Sequence, residues 1–274
     1  MIDIDIMKYK MIFSDIDGTL LNSNHQVSRA AREKIQELNK QGIPFILVSA
    51  RMPSGILPIQ RELGINSPIV CYSGALVLNE SGECVKTAGI EYEKSLLVDA
   101  YLKSEWKHIC SSTFYFDNWL VDQKEDKWVM QEERITSSFP VEGEIGDIPL
   151  PDREIHKFLC MGETEQITAL NEAMKEKFPE LSIYRSKDTY LEIMDRAASK
   201  SGAIEFLCQK YEIPIEATVS FGDNFNDIDM LLTTGNSFAM GNAPDEVKEQ
   251  ALNITLDNDH DGVLAGLNQL EFTK

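Results

Sequence analysis

Lys10-Met-Ile-Phe-Ser14-Asp15-Ile-Asp17-Gly-Thr-Leu20 is the stretch on which the reading of this 274-residue chain turns. A short apolar run, Lys10 to Ser14, ends abruptly at Asp15, and a second carboxylate follows two residues on. In an extended strand two such side chains point to opposite sides. Past the strand's end, Gly18 lets the chain turn so that both face one pocket. In open α/β sheets ligands sit outside the carboxyl ends of the strands, where this motif falls. The chain also carries a control: Asp3-Ile4-Asp5 repeats the spacing with neither the strand nor the Gly-Thr, and reads as an acidic surface segment.

Working outward, Ser28 suits a helix N-cap, Ala31, Ile35 and Leu38 follow at helical spacing, and Gly42 supplies the stop. Pro44-Phe-Ile-Leu-Val48 and Pro68-Ile-Val-Cys-Tyr72 are continuous apolar runs of the kind buried parallel strands show, with a helical stretch near 54–63 between them. Strands separated by helices of this length predict βαβ units and a parallel sheet. Two short apolar segments around Asn79-Glu-Ser-Gly82 predict a β-hairpin over 76–85.

From residue 86 to 189 the character changes. Aromatic residues gather around 101–106, 114–119 and 128. Helices are expected near 94–106, 124–137 and 164–177, and strands at about 110–116, 155–161 and 181–186. The aromatic side chains Tyr115, Phe116 and Trp119 read as core. Parallel-sheet signals then return. Ser199 opens a helix with Ala203, Phe206 and Leu207 on one face, Ala217-Thr-Val-Ser-Phe221 is a strand, Asn226 to Leu232 a helix, and Ser237-Phe-Ala-Met240 a further strand. The expectation is a discontinuous α/β core over 1–85 and 190–274 with an α+β unit inserted over 86–189.

Composition narrows the function. Forty-five acidic residues against 26 basic give −19, which argues against a broad nucleic-acid face and a polybasic membrane patch. Five widely spread cysteines without a Cys-x-x-Cys pair read as reduced thiols, and four scattered histidines make no metal pair. Met1 to Lys8 is short and acidic, so no signal peptide is expected, and no apolar run approaches the roughly 18 residues of a membrane span. A soluble, cytoplasmic protein is expected.

Taken singly, the remaining motifs each have two readings. Ser49, just past a strand, can meet an anion with its hydroxyl and nearby backbone N–H groups, or merely cap a helix. Lys200 opens the return segment, yet most lysines are solvated surface charges. Gly222-Asp223-Asn-Phe-Asn226-Asp227 follows a strand and can bring carboxylates to a hard cation such as Mg²⁺, or cap a helix.

Their order separates the readings. Asp-x-Asp-Gly-Thr, then Ser, then Lys, then Gly-Asp-x-x-Asn-Asp, each at a strand end or helix start, resembles the haloacid dehalogenase (HAD) superfamily. The position of the insertion, Ala239-Met-Gly-Asn-Ala243 with Glu246-Val-Lys248, and Asn258-Asp-His-Asp-Gly-Val263 resemble its Cof-type, sugar-phosphatase-like branch. The resemblance runs nearly end to end. Two positions depart from it: Ser49-Ala50-Arg51 stands where Thr/Ser-Gly-Arg is usual, and Ser73-Gly74-Ala75 where Asn-Gly-Ala is common. Alanine at 50 is expected to alter a glycine-dependent turn, and the shorter hydroxyl at 73 to weaken or change a contact near the substrate.

The resemblance implies a Rossmann-like parallel-sheet core with a large C2-type cap that closes over the strand ends and sets substrate choice. It implies Asp15 as nucleophile, forming an aspartyl-phosphate, and Asp17 as general acid and then base. Mg²⁺ would be held by Asp15, the Asp17 backbone carbonyl and Asp223. Phosphate and substrate contacts fall to Gly18, Ser49, Ala50, Lys200 and Asn226, with Asp227, helped by Asn226, supporting the metal waters or Lys200. The implied partner is a small phosphorylated metabolite, with sugar phosphates favoured and nucleotides or pyridoxal phosphate also fitting. Asp17 disfavours a dehalogenase, which needs no such acid. A phosphomutase keeps both aspartates and stays open. A non-catalytic binding protein is betrayed by loss of Asp15, Asp17, Lys200 or Asp223, and all four are present.

Overall fold

β1 (Met11–Ser14) is buried along its whole length, which is why its sequence is continuously apolar instead of alternating. It lies between two parallel neighbours, β2 (Phe45–Val48) on one side and β12 (Thr218–Gly222) on the other. The computed structural model describes residues 9–136, 138–149 and 154–273, so the acidic start with Asp3 and Asp5 lies outside the described residues.

The chain divides into two compact units. The first comprises the chain up to Ala50, Ile56–Lys86 and Ser199 onward; the second comprises Arg51–Gly55 and Thr87–Ala198. Among the described residues the first unit has an eight-stranded sheet. Its order is β14 (Asn253–Ile254), β13 (Asn236–Ala239), β12, β1, β2, β3 (Ile69–Cys71), β4 (Leu76–Leu78) and β5 (Cys84–Thr87). From β14 to β3 all pairs are parallel, and β4 returns antiparallel to β3. Crossovers are made by α1 (Arg29–Lys40), α2 (Pro53–Leu63), α6 (Lys200–Lys210) and α7 (Ile228–Thr233). Ser28 caps α1, its hydroxyl accepting the Ala31 N–H at 3.0 Å, and the helix buries Ala31, Ile35 and Leu38. The chain closes with α8 (Asp245–Lys248) and α9 (Gly262–Leu267).

The second unit is a six-stranded sheet in the order β10 (Leu181–Lys187), β11 (Tyr190–Asp195), β9 (Lys157–Met161), β6 (Cys110–Tyr115), β7 (Asn118–Val121), β8 (Val141–Glu142). Helices α3 (Tyr92–Glu105), α4 (Lys127–Thr136) and α5 (Thr164–Lys177) complete it. Its apolar core includes Val98 and Leu102 of α3, Phe158 and Cys160 of β9, Ile167 and Leu170 of α5, and Leu191 and Ile193 of β11. Tyr115 and Trp119 are buried and Phe116 half-buried.

Two expectations shift. A division at 189/190 falls before β11, which pairs with both β9 and β10, so the second sheet runs on through Asp195. The helix expected from Asn226 begins at Ile228, because a 3₁₀ turn, Phe225–Asp227, comes first. The strand expected near 110–116 is β6, and β7 returns antiparallel to it about a turn at Phe116, where φ is +43°. None of the five cysteines is in a disulfide, and no described helix is long and apolar enough to cross a membrane.

At the entry to the second unit, Thr87 Oγ1 donates to Glu154 at 2.7 Å, and the ring of His156 lies fully buried beside it. His156 Nδ1 accepts the Phe116 N–H at 3.1 Å, so a neutral ring carries its proton on Nε2, 3.1 Å from Thr87 Oγ1. Burial pushes this imidazole down to about 4, with Glu154 pulling the other way. Between that value and the ordinary 6.5 the unfolded chain binds the extra proton, so stability falls as pH drops through this window. In thermal melts across it, His156→Gln should give a shallower loss of Tm toward acid than the unsubstituted protein.

Candidate active site

Parallel strands place their carboxyl ends on one edge of the first unit's sheet: Asp15 follows β1, Ser49 follows β2, and Asp223 follows β12. The Asp15 N–H donates to Phe221 O at 3.0 Å, carrying the β1–β12 pairing one residue past the strand. Asp15 is thereby buried, whereas Asp17, just before the chain bends, is exposed. Gly18 makes that bend at φ +81°, and a Cβ there would lie 2.4 Å from Asp223 Oδ2. Conformation and space both require glycine. Thr19 then turns inward, its hydroxyl donating to Asp223 Oδ1 at 2.6 Å. Asn242 Nδ2 donates to Gly18 O at 2.9 Å and pins the turn from the far side of the chain.

Lys200 enters from the first turn of α6. Ser199 caps that helix, its hydroxyl accepting the Gly202 N–H at 3.0 Å, while the Ser201 N–H donates to Asp229 Oδ2 at 2.9 Å. With 1% exposure, Lys200 donates through Nζ to Asp15 Oδ1 at 2.6 Å and to Asp227 Oδ1. Asp227, fully buried, uses its other oxygen to accept the N–H groups of Asp223 and Asn224, each at 2.9 Å. Those bonds hold residues 225–227 in the 3₁₀ turn and delay the start of α7.

One oxygen from each of Asp15, Asp223 and Asp227 lies within 4.8 Å of the others. Burial, opposed by Lys200 and reinforced by Asp227 and Asp223, raises Asp15 well above the usual carboxylate range. Burial likewise pushes Asp223 up to about 6, with the Thr19 hydrogen bond acting against it. Lys200 loses hydration on burial, but its two carboxylate partners outweigh that loss and raise its pKa. Carboxylate oxygens without thiolate or imidazole are the donor set of a hard divalent cation, and the donors here fit one. Asp227 already spends both oxygens on Lys200 and on backbone N–H groups, so Asp15 and Asp223 are the side chains suited to direct ligation.

Among the residues expected from the sequence, Asp15, Asp223, Asp227 and Lys200 come together. Ser49 is buried at the end of β2, its N–H donating to Val70 O at 2.9 Å, and Ala50 beside it is half-buried. Gly18 lies against Asp223. Asp17 and Asn226 are both exposed, Asn226 within the 3₁₀ turn. The metal role expected of Asp17 runs through its backbone carbonyl, and its carboxylate is outside the three-carboxylate group. Sequence reasoning missed Thr19, Asn242 and Asp229. Thr19 stands inside the quoted motif and Asn242 inside the tail segment, so both carried a signal of place. Asp229 carried none, because its role is to accept an N–H of another helix.

The sequence profile described as haloacid dehalogenase-like hydrolase matches residues 12–267. A Haemophilus influenzae protein bearing the name "Putative phosphatase" is 39% identical over 259 residues, covering 94% of this chain and 96% of its own length. The crystal structure of a haloacid dehalogenase-like hydrolase from Bacteroides thetaiotaomicron superposes with a TM-score of 0.87 at 28% identity, over 96% of this chain and 99% of that one. The HAD subclass IIB sugar phosphatase BT4131 shares the fold, with a TM-score of 0.80 at 20% identity over 95% and 98% of the two chains.

Ionised Asp223 is held at a cost, since its pKa of about 6 in the folded chain exceeds the ordinary 3.8. That cost appears as pH rises between the two values, and a bound divalent cation offsets it. The rise in Tm on adding a divalent cation should therefore be larger at about pH 7.5 than at about pH 5.5, where a proton competes for Asp223.

Proposed function

We propose that this chain, which belongs to the haloacid dehalogenase-like hydrolase family and acts as a phosphatase, is a Mg²⁺-dependent phosphomonoesterase whose nucleophile is Asp15. The observation that carries this reading is the buried Lys200 ammonium, 2.6 Å from Asp15 Oδ1 and shared with Asp227. A carboxylate nucleophile must stay ionised next to a phosphate dianion, and a buried cation favours that form. Mg²⁺, when bound at Asp15 and Asp223 with the Asp17 carbonyl, would supply charge neutralisation for the phosphoryl oxygens.

In the first step Asp15 forms a bond to phosphorus as the ester P–O bond breaks, and Asp17 gives its proton to the departing alkoxide. In the second, water attacks phosphorus, its proton passes to Asp17, and the acyl-phosphate P–O bond breaks to release phosphate and restore Asp15. The exposure of Asp17 suits a group that must reach the leaving oxygen and then water. Ser49, the N–H groups near Gly18 and Ala50, and Lys200 hold the phosphoryl oxygens, while Asn226 and Asp227 support the ligands around them. Most of the rate gain is then positioning and charge stabilisation.

Small phosphorylated metabolites are the substrates, sugar phosphates first among them; the shared fold of BT4131, a sugar phosphatase, supports that order. The second unit sets the choice among them. The net charge of −19 argues against nucleic-acid and polybasic membrane partners, and cysteines outside any disulfide fit the cytoplasm.

Phosphate release from an aryl phosphate and from a panel of phosphorylated metabolites tests this. Asp15→Asn should abolish turnover, Asp17→Asn should lower kcat by about 10²–10⁴-fold, and EDTA should stop the reaction until Mg²⁺ is restored. Full activity in Asp15→Asn, or in EDTA, would overturn the mechanism. Transfer of phosphate between positions of one sugar, with little free phosphate released, would make the protein a phosphomutase instead.

A further inference from the structure

The turn after β3, Tyr72-Ser73-Gly74, has three successive residues at positive φ: +50°, +50° and +103°. Two of them are not glycine, and one is a fully buried tyrosine, so the backbone is strained and the surrounding structure has to hold it. Two contacts do so. The Ser73 N–H donates to Ser49 O at 2.8 Å, and Gly74 packs so tightly on the Ser199 backbone that a Cβ would lie 2.0 Å from Ser199 O. The turn is thus wedged between the end of β2, with Ser49, and the start of α6, with Lys200.

Ser73 Oγ is the unexplained atom in this wedge. The residue is 7% exposed, comparable with Ser49 at 2% and Lys200 at 1%, and its hydroxyl is buried with no hydrogen-bond partner. A buried hydroxyl normally finds a partner, because dehydrating it without one is unfavourable. Packing alone would be served as well by alanine, and alanine would not leave a polar atom stranded. Ser73 follows β3 as Ser49 follows β2, on the same edge of the sheet, and Gly74 touches the residue before Lys200.

We infer that Ser73 Oγ is a further substrate-binding group, donating a hydrogen bond to an oxygen of the bound phosphoryl group alongside Ser49 and Lys200. This rests on the phosphatase reading of the same site. The strained turn positions the donor in advance, so that binding supplies the missing acceptor without reorganising the loop. The stranded hydroxyl also gives the assignment an unusual signature: its removal should harm the liganded protein and not the free one.

The test uses the full chain with Mg²⁺ present and inorganic phosphate as the probe. Melting temperature with and without phosphate, the inhibition constant of phosphate, and kcat and KM on an aryl phosphate are measured for the unsubstituted protein, Ser73→Ala and Ser73→Asn. Ser73→Ala should melt, without phosphate, at or above the unsubstituted protein, lose most of the phosphate-induced rise, and bind phosphate about tenfold more weakly with KM rising in step. Ser73→Asn restores a donor on a residue that tolerates positive φ, and should recover part of that affinity. If Ser73→Ala keeps the phosphate-induced rise and the inhibition constant, the assignment is wrong and the phosphatase reading is untouched. A lower melting temperature of free Ser73→Ala with unchanged phosphate affinity would give the residue a structural role and overturn the assignment equally. If the unsubstituted protein neither responds to phosphate nor releases it, the site reading itself falls and takes Ser73 with it.

Discussion

One buried ammonium organises the active-site edge of this protein. Lys200 has lost nearly all contact with water, and a lone cation in that position would be untenable without compensating charge. Asp15 and Asp227 provide it, and each is fixed by its own backbone context: Asp15 by the β1–β12 pairing, Asp227 by the N–H groups of Asp223 and Asn224. Lys200 in turn is fixed by an N-terminus that Ser199 and Asp229 complete. Removing one member of a buried ion pair of this kind typically costs about 3–5 kcal/mol, because it leaves a charge buried and unpaired.

Three buried or half-buried carboxylates share one lysine, and burial raises two of them above the usual range against the ammonium's pull. This is the internal counterpart of the chain's −19: the surface acids are solvated, while these three crowd around a single buried ammonium. A divalent cation and a phosphate dianion arriving together leave the pocket closer to neutral than a phosphate arriving by itself.

How much could be seen in the sequence depended on whether the deciding force was local. β1 was legible because burial on both faces writes a continuous apolar run, and Ser28 and Ser199 because a cap is a local bond. β11 was harder. Its central Glu192 interrupts the apolar pattern, and only the fold reveals that this carboxylate is buried, 3.7 Å from the equally buried Lys157. The start of α7 was misplaced because Asp227 is occupied by tertiary duties that override the helix propensity of its neighbours. At the site, Asp15 and Asp223 announced themselves through motif and strand end, whereas Asp229 acts across space on another helix and left no pattern. Ser73 was visible only as a departure from a family pattern; its stranded hydroxyl is a property of packing.

The placement of β1 has a consequence for how the molecule comes into being. Its two partners are far apart in the chain: β2 follows within forty residues, but β12 begins at Thr218, and Lys200 lies 185 residues beyond Asp15. As the ribosome extends the polypeptide, β1 can pair on one side early, while its other edge stays open and apolar until β12 emerges. The whole second unit is synthesised in that interval. Asp15 is made early and its buried counter-ion late, so the nascent sheet stays open at β1 while the second unit is made.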